Sequence, residues 1–207
     1  MRTYIYVDGF NFYYGAVKGT PYKWFDFLEL FKKLLQTHHE ILKIKYFTAL
    51  VNPTIADPQK SIRQQTYIRA LQHQIPQFEV YYGNFLSRTK WAQPANAGNQ
   101  GDRVKILSVE EKGSDVNLAV HLLNDAWLGL YDCAVLVSND SDLAEALRLV
   151  RVHHGKMIGV ITPHKNQQSR ELLCHATFVK RIRQGLLRVS QLPDPIPGTS
   201  LYKPSFW

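Results

Sequence analysis

The stretch from Ala134 to Leu147 constrains this chain more than any other. A short apolar run, Ala134 to Val137, breaks into Ser138-Asn139-Asp140-Ser141-Asp142. A helical pattern follows at once, with Leu143, Ala146, Leu147 and Val150 on one face. An apolar run this short, bounded by polar residues, reads as a fully buried strand. In open α/β sheets, ligands bind in the crevice beyond the carboxyl ends of the strands. Asp140 and Asp142 therefore stand where a metal or phosphate site would use them.

The rest of the chain repeats the alternation. Thr3 to Val7 reads as a strand ending at Asp8-Gly9-Phe10-Asn11, where Gly9 and Asn11 tolerate a sharp exit. Asp26-x-x-Glu29 is a helix start, with Leu28, Phe31, Leu34 and Leu35 at helical spacing to about His38. Ile41 to Val51 reads as the second strand. Asp57 to Gln74 is an amphipathic helix with Ile62, Tyr67, Ile68 and Leu71 inward, and Phe78 to Phe85 is the third strand. Periodicity disappears from Ser87 to Asp102, which predicts a long loop. A strand-like return over Arg103 to Val109 precedes a helix opening at Lys112-Gly113-Ser114-Asp115, with Val116, Ala119, Val120, Leu123 and Trp127 on its apolar side. Met157 to Ile161 is a further strand, Ser169 to Cys174 a short helix, and Thr177 to Val179 an edge strand. Strands alternating with helices imply βαβ units and a mainly parallel sheet. The last residues carry Pro193, Pro195, Pro197 and Pro204 and read as an extended, peripheral tail over 181–207.

Bulk properties narrow the class. The chain has 207 residues, enough for one domain with a substantial core, and 45% hydrophobic content of soluble globular type. No apolar run approaches the ~20 residues needed to cross a bilayer, and Met1 to Asp8 enters a strand directly without a leader pattern. Two cysteines, Cys133 and Cys174, argue against a disulfide framework and for a reducing cytoplasm. The net charge of +8 is unevenly spread. Ser108 to Val150 holds eight acids against two bases, whereas Arg151 to Ser190 holds eight bases against one acid. An acidic centre beside a basic flank suits a protein that holds cations at one point and a polyanion around it.

Three carboxylate stations emerge: Asp8, Asp115, and Asp140 with Asp142. Hard cations such as Mg²⁺ and Mn²⁺ prefer such oxygen donors. Each station has a plainer service open to it. Asp142 with Glu145, or Ser114 or Asp115, can cap a helix, and Asp8-Gly9 can be a turn. No zinc-spaced His/Cys cluster, Gly-rich phosphate loop or Gly-x-Ser-x-Gly elbow is present. An aspartyl-phosphate mechanism at Asp8 would want a second Asp at the place of Phe10.

Three motifs in order are Tyr6-Val7-Asp8-Gly9-Phe10-Asn11, Glu111-Lys112-Gly113-Ser114-Asp115-Val116 and Leu136-Val137-Ser138-Asn139-Asp140-Ser141-Asp142-Leu143. With them, residues 1–180 resemble the LabA-type NYN domains of the PIN-like nuclease superfamily. The resemblance implies a PIN-like three-layer α/β/α sandwich with a mainly parallel sheet. It implies a divalent-metal site, Mg²⁺ or Mn²⁺, built from Asp8, Asp115, Asp140 and Asp142, and RNA cleavage by a metal-activated water. Asn11 would position substrate or that water. Arg88, Lys90, Lys112, Lys165 and Arg170 are candidates for holding RNA. The sequence departs from the family pattern at Asn139, where glycine is common, and at His121, near where a further acid is often found. Loss of that acid would either weaken a second metal position or shift its role to Asn117, Asp125 or water. The rival expectation is a non-catalytic RNA-binding module. The aromatic tail residues Tyr202, Phe206 and Trp207 could pack on a second copy of the chain.

Overall fold

Strand β1 (Arg2–Asp8) is buried at every residue after Arg2. Tyr4 and Tyr6 face one core, and Ile5 and Val7 face a second, separate one. A strand needs helices on both sides to be buried this way. The computed structural model, which describes residues 1–94, 103–164 and 168–207, supplies them.

After β1 come α1 (Gly9–Phe12), which runs into a π-helical turn over Tyr13–Val17, then α2 (Phe27–Leu34), β2 (Glu40–Thr48), α3 (Lys60–Gln74) and β3 (Phe78–Tyr82). A hairpin, β4 (Asn84–Ala92) and β5 (Val104–Lys112), leads to α4 (Ser114–Trp127) and β6 (Cys133–Val137). A 3₁₀ turn at Ser141–Leu143 opens α5 (Ala144–His154), followed by β7 (Met157–Thr162), α6 (Arg170–Leu173), β8 (Phe178–Arg181) and α7 (Gln184–Arg188). Six strands form one parallel sheet in the order β3-β2-β1-β6-β7-β8. Residues of α2 and α3 pack on one face, and those of α4, α5 and α6 on the other. This is a three-layer α/β/α sandwich.

From β1 the chain builds the sheet outward to β3, then returns to β6 on the other side of β1 and builds outward to β8. Strand order thus reverses between β1 and β6, which opens a crevice at their carboxyl ends. Asp8 ends β1, and Ser138 to Asp140 directly follow β6.

Several expectations are corrected. Ser87–Ala92 is not loop but part of β4, paired with β5 from Asn84↔Lys112 to Ala92↔Val104. The hairpin stands outside the main sheet with most side chains exposed, so no buried face imposes alternation on it. The remainder of that loop, 95–102, lies outside the described residues.

The inward face of α4 is Leu118, Leu122, Asp125 and Ala126, while Val116, Val120 and Trp127 are exposed. A buried ion pair explains the rotation: Lys45 Nζ donates to Asp125 Oδ2 at 2.6 Å, and the Tyr6 hydroxyl donates to the same oxygen at 2.6 Å. On α3, Ala70 takes the buried place expected of Ile62, which is exposed. Helix α2 ends at Leu34 rather than His38, but Asp26 caps it as read, accepting from Glu29 N at 3.0 Å.

The segment after β8 is not peripheral. Leu187, Leu192 and Ile196 are buried in the α2/α3 core. Ser190 O accepts from Asp26 N at 2.7 Å, and Pro193 O accepts from the Trp24 indole at 3.1 Å. Leu192 N donates to Trp24 O at 3.0 Å, which ties the segment to the core. Trp207 lies against Trp24 and Tyr67 of its own chain, leaving Tyr202 and Phe206 exposed.

Candidate metal centre

Asp8 is fixed at the end of β1 before any cation is considered. Its Oδ1 accepts from Asn11 N at 2.9 Å, and its Oδ2 accepts from the Ser138 hydroxyl at 2.9 Å. Helix α1 begins close to β2 because residue 9 is glycine. A Cβ there would stand 2.7 Å from the Tyr46 hydroxyl and 2.8 Å from Phe47 O.

Asp140 is held by the same serine, whose hydroxyl accepts from Asp140 N at 3.1 Å. Asp140 Oδ1 in turn accepts from Asp142 N at 3.0 Å, so Asp140, not Asp142, is the capping residue of this turn. The loop is pinned further. Asn11 Oδ1 accepts from Asn139 N at 3.0 Å, and Asn139 Oδ1 accepts from Ser169 N at 2.8 Å.

Asp115 comes from α4. Gly113 caps this helix in the left-handed region, at φ 99°, which permits the tight reversal out of β5. Glu111 accepts from Ser114 N at 3.2 Å and from its hydroxyl at 2.8 Å. Neither Ser114 nor Asp115 makes a side-chain cap of the helix. Glu111 supplies that service, and the Asp115 carboxylate stays available.

Asp8, Asp115 and Asp140 each offer one oxygen, and these three oxygens lie within 4.8 Å of one another. Burial lifts the Asp8 carboxyl above its ordinary value, against the hydrogen bonds from Asn11 and Ser138. Asp115 is pushed up to about 6, first by burial and then by Asp8, Asp140, Glu111 and Asp142. Like charges this close repel unless a proton or a cation compensates. Three carboxylate oxygens are a hard donor set, which fits a divalent metal ion.

The remaining expected site residues lie outside this trio of oxygens. Asp142 is exposed and adds to the field on Asp115 without joining the three oxygens. The Asn11 amide oxygen is occupied by the Asn139 backbone, so the side chain braces the crevice. Arg88 and Lys90 sit on β4 and pair with Glu110, and Lys112 is exposed at the end of β5. Arg170 is exposed in the first turn of α6, next to the Ser169 that Asn139 holds. Lys165 lies outside the described residues.

His121 packs 4.1 Å from the Tyr81 ring and 5.6 Å from that of Phe47. Burial and then the nearby Lys45 lower its pKa, which disfavours the charged ring. Asp125 cannot take over the missing acid's role, because Lys45 and Tyr6 hold it. Ser138 escaped the sequence reading. Its signal was a lone hydroxyl immediately after a fully apolar strand.

The family model described as NYN domain matches residues 2–180. The chain belongs to the NYN domain family. A curated relative, named 6-hydroxy-3-succinoylpyridine 3-monooxygenase HspA, from Pseudomonas putida (strain DSM 28022 / S16), is 37% identical to this NYN protein. That alignment covers 100% of this chain and 75% of the relative. A solved structure, a protein of unknown function, VPA0982, from Vibrio parahaemolyticus RIMD 2210633, superposes with a TM-score of 0.55. It is 20% identical, covering 88% of this NYN chain and 93% of its own, and supports the fold alone. The NYN fold is nuclease-like, and here it carries three clustered acids able to hold a metal ion. No helix among the described residues is long and apolar enough to cross a membrane.

Proposed function

We propose that this protein is a metal-dependent ribonuclease of the cytoplasm, with Asp8, Asp115 and Asp140 holding Mg²⁺ or Mn²⁺. The convergence of three carboxylate oxygens within 4.8 Å, at the point where strand order reverses, carries the reading. Asp8, Asp115 and Asp140 would hold the cation, whose chemistry there would be to activate a water and offset charge on a phosphodiester. The chain's own residues prepare that chemistry. Ser138 and the Asn11 amide aim the Asp8 oxygens, and the Asn11–Asn139–Ser169 links keep the Asp140 turn in place.

The distribution of positive charge supports an RNA partner. Lys33, Lys180, Arg181 and Arg183 line a groove beyond the edge strand β8. Arg181 donates to Gln168, beside the Ser169 that is tied to the acid-bearing loop. Lys112, at the end of β5, and Arg170, in the first turn of α6, are both exposed. Lysine and arginine contacts of this kind bind phosphates without reading sequence.

The test is cleavage of labelled single-stranded RNA with Mn²⁺, and again with EDTA. Asp8→Asn and Asp140→Asn should abolish cleavage while RNA binding persists. Variants that cut as well as the parent would refute the assignment. Binding without any metal-dependent cleavage would favour a non-catalytic RNA-binding module.

The relative named a monooxygenase, similar over this whole chain, supports a second reading: hydroxylation of a pyridine. The donor set weighs against it. Non-haem iron oxygenases commonly use two histidines and one carboxylate, whereas the cluster here is three carboxylates. Incubation with 6-hydroxy-3-succinoylpyridine, dioxygen and a reduced nicotinamide, with product identified by mass, separates the two readings.

A further inference from the structure

A second concave site takes in Gly9 and Phe10, next to Asp8, but none of the three acids. It is a cavity of about 300 Å³ between α1 with its π turn, α3 and Trp207. The π turn matters to its shape. Such turns displace the side chains that follow them and recur at functional sites. Here Tyr13 and Tyr14 lie 5.3 Å apart, edge to face, at the solvent side, 36% and 58% exposed. Behind them Phe12, Tyr46 and Tyr67 form a buried aromatic interior, and Trp207 lies 5.2 Å from the Tyr67 ring.

The cavity is also cationic. Lys18, Lys23, Lys60 and Arg63 line it, with Asp57 as the one acid among its lining residues, and Asp57 is engaged by Arg63. Lys18 Nζ stands 4.6 Å from the centre of the Tyr14 ring. Arg63 is only 16% exposed, and its buried Nε has no hydrogen-bond partner. An unmet buried donor is costly unless something accepts from it.

Aromatic walls favour a flat ring, by stacking and edge contacts. A surplus of cations with one unpaired guanidinium N–H favours an anion. The volume is at the low end of the roughly 300–1,000 Å³ typical of ligand sites, which limits the guest to one ring and its substituent.

We propose that this cavity binds a planar aromatic ring bearing a single anionic arm. Two sources share that chemistry: the base and phosphate of a nucleotide, or a small aromatic acid. The ring lies among Tyr13, Tyr14 and Phe12, and the anion faces Lys60 and Arg63.

The test is titration of the full chain with uridine 5′-monophosphate and with nicotinate, read by intrinsic fluorescence or NMR shifts. Uridine and inorganic phosphate serve as the ring-only and anion-only probes. At least one ring-bearing anion should bind saturably, and about tenfold or more tighter than either partial probe. Tyr14→Ala and Lys60→Ala should each weaken binding about tenfold while unfolding at the parent's temperature. Uridine 5′-monophosphate alone would identify a nucleotide site, and nicotinate alone a small-acid site. Binding by neither, equal binding of bare phosphate, or folded variants that bind like the parent would overturn the proposal. The inference stands apart from hydrolysis, since Asp140→Asn should keep this binding even where cleavage is lost.

Discussion

Ser138 Oγ donates to Asp8 Oδ2 at 2.9 Å across 130 residues of sequence, while accepting the backbone N–H of Asp140 at 3.1 Å. One buried hydroxyl therefore sets the relative position of two of the three acids. Removing the groups that orient metal ligands typically costs about 10–100-fold in affinity or activity. Ser138→Ala should weaken Mn²⁺ binding by that order, measured by calorimetric titration, with the protein still folded. Unchanged affinity would show that the strands alone position the pair.

Asp115 has a folded-state pKa of about 6 against an ordinary 3.8. The fold thus prefers its protonated form. Without metal, this group's contribution to stability is fully present below 3.8 and is lost as pH rises through about 6. Metal and proton compete for the same oxygens, so divalent affinity should fall as pH drops below about 6. Asp115→Asn should raise the unfolding temperature of metal-free protein at pH 8 and abolish the metal-induced rise. A lowered metal-free temperature would mean that repulsion within the cluster is not felt.

Lys45 and Asp125 form an ion pair with side chains 8% and 4% exposed, and the Tyr6 hydroxyl shares the carboxylate. Removing one partner of a buried pair leaves an uncompensated charge and costs about 3–5 kcal/mol. Lys45→Met and Asp125→Leu should each destabilise by that order in urea denaturation. The double replacement combined with Tyr6→Phe should recover most of the loss. Additive losses would mean that the three groups act independently.

Gly9→Ala would push a methyl group into Tyr46 and the Phe47 carbonyl, at 2.7 and 2.8 Å. The cost of such overpacking is about 1–3 kcal/mol. Because α1 starts beside Asp8, metal affinity should fall along with the unfolding temperature. A drop in stability alone would show that Asp8 holds its place without α1.

The parallel sheet was legible because its central strands are buried on both faces and read as short apolar runs, as Ile5 to Val7 and Ala134 to Val137 do. Asp8 and Asp140 were legible for the same reason, being the first acids after such runs. The inward face of α4 was not. Asp125 stands inside while Val116, Val120 and Trp127 stand outside, reversing the polarity that periodicity relies on. Strand β4 was hidden because it pairs only with β5 and buries little. Ser138 and Asn139 owe their importance to partners more than a hundred and about thirty residues away respectively, and no local pattern reports such contacts.

The reversal of strand order between β1 and β6 ties ion binding to the assembly of the whole sheet. Between Asp8 and Asp115 in sequence lie β2, β3 and the hairpin, and α4 returns the chain to the centre before β6 leads to Asp140. The unfolded chain has no such meeting point, so a cation held there acts as a clasp on the finished topology. At a free concentration a hundred times its dissociation constant, it would add about 2.7 kcal/mol to folding. Divalent cation supply would then help set how long the protein survives in a cell.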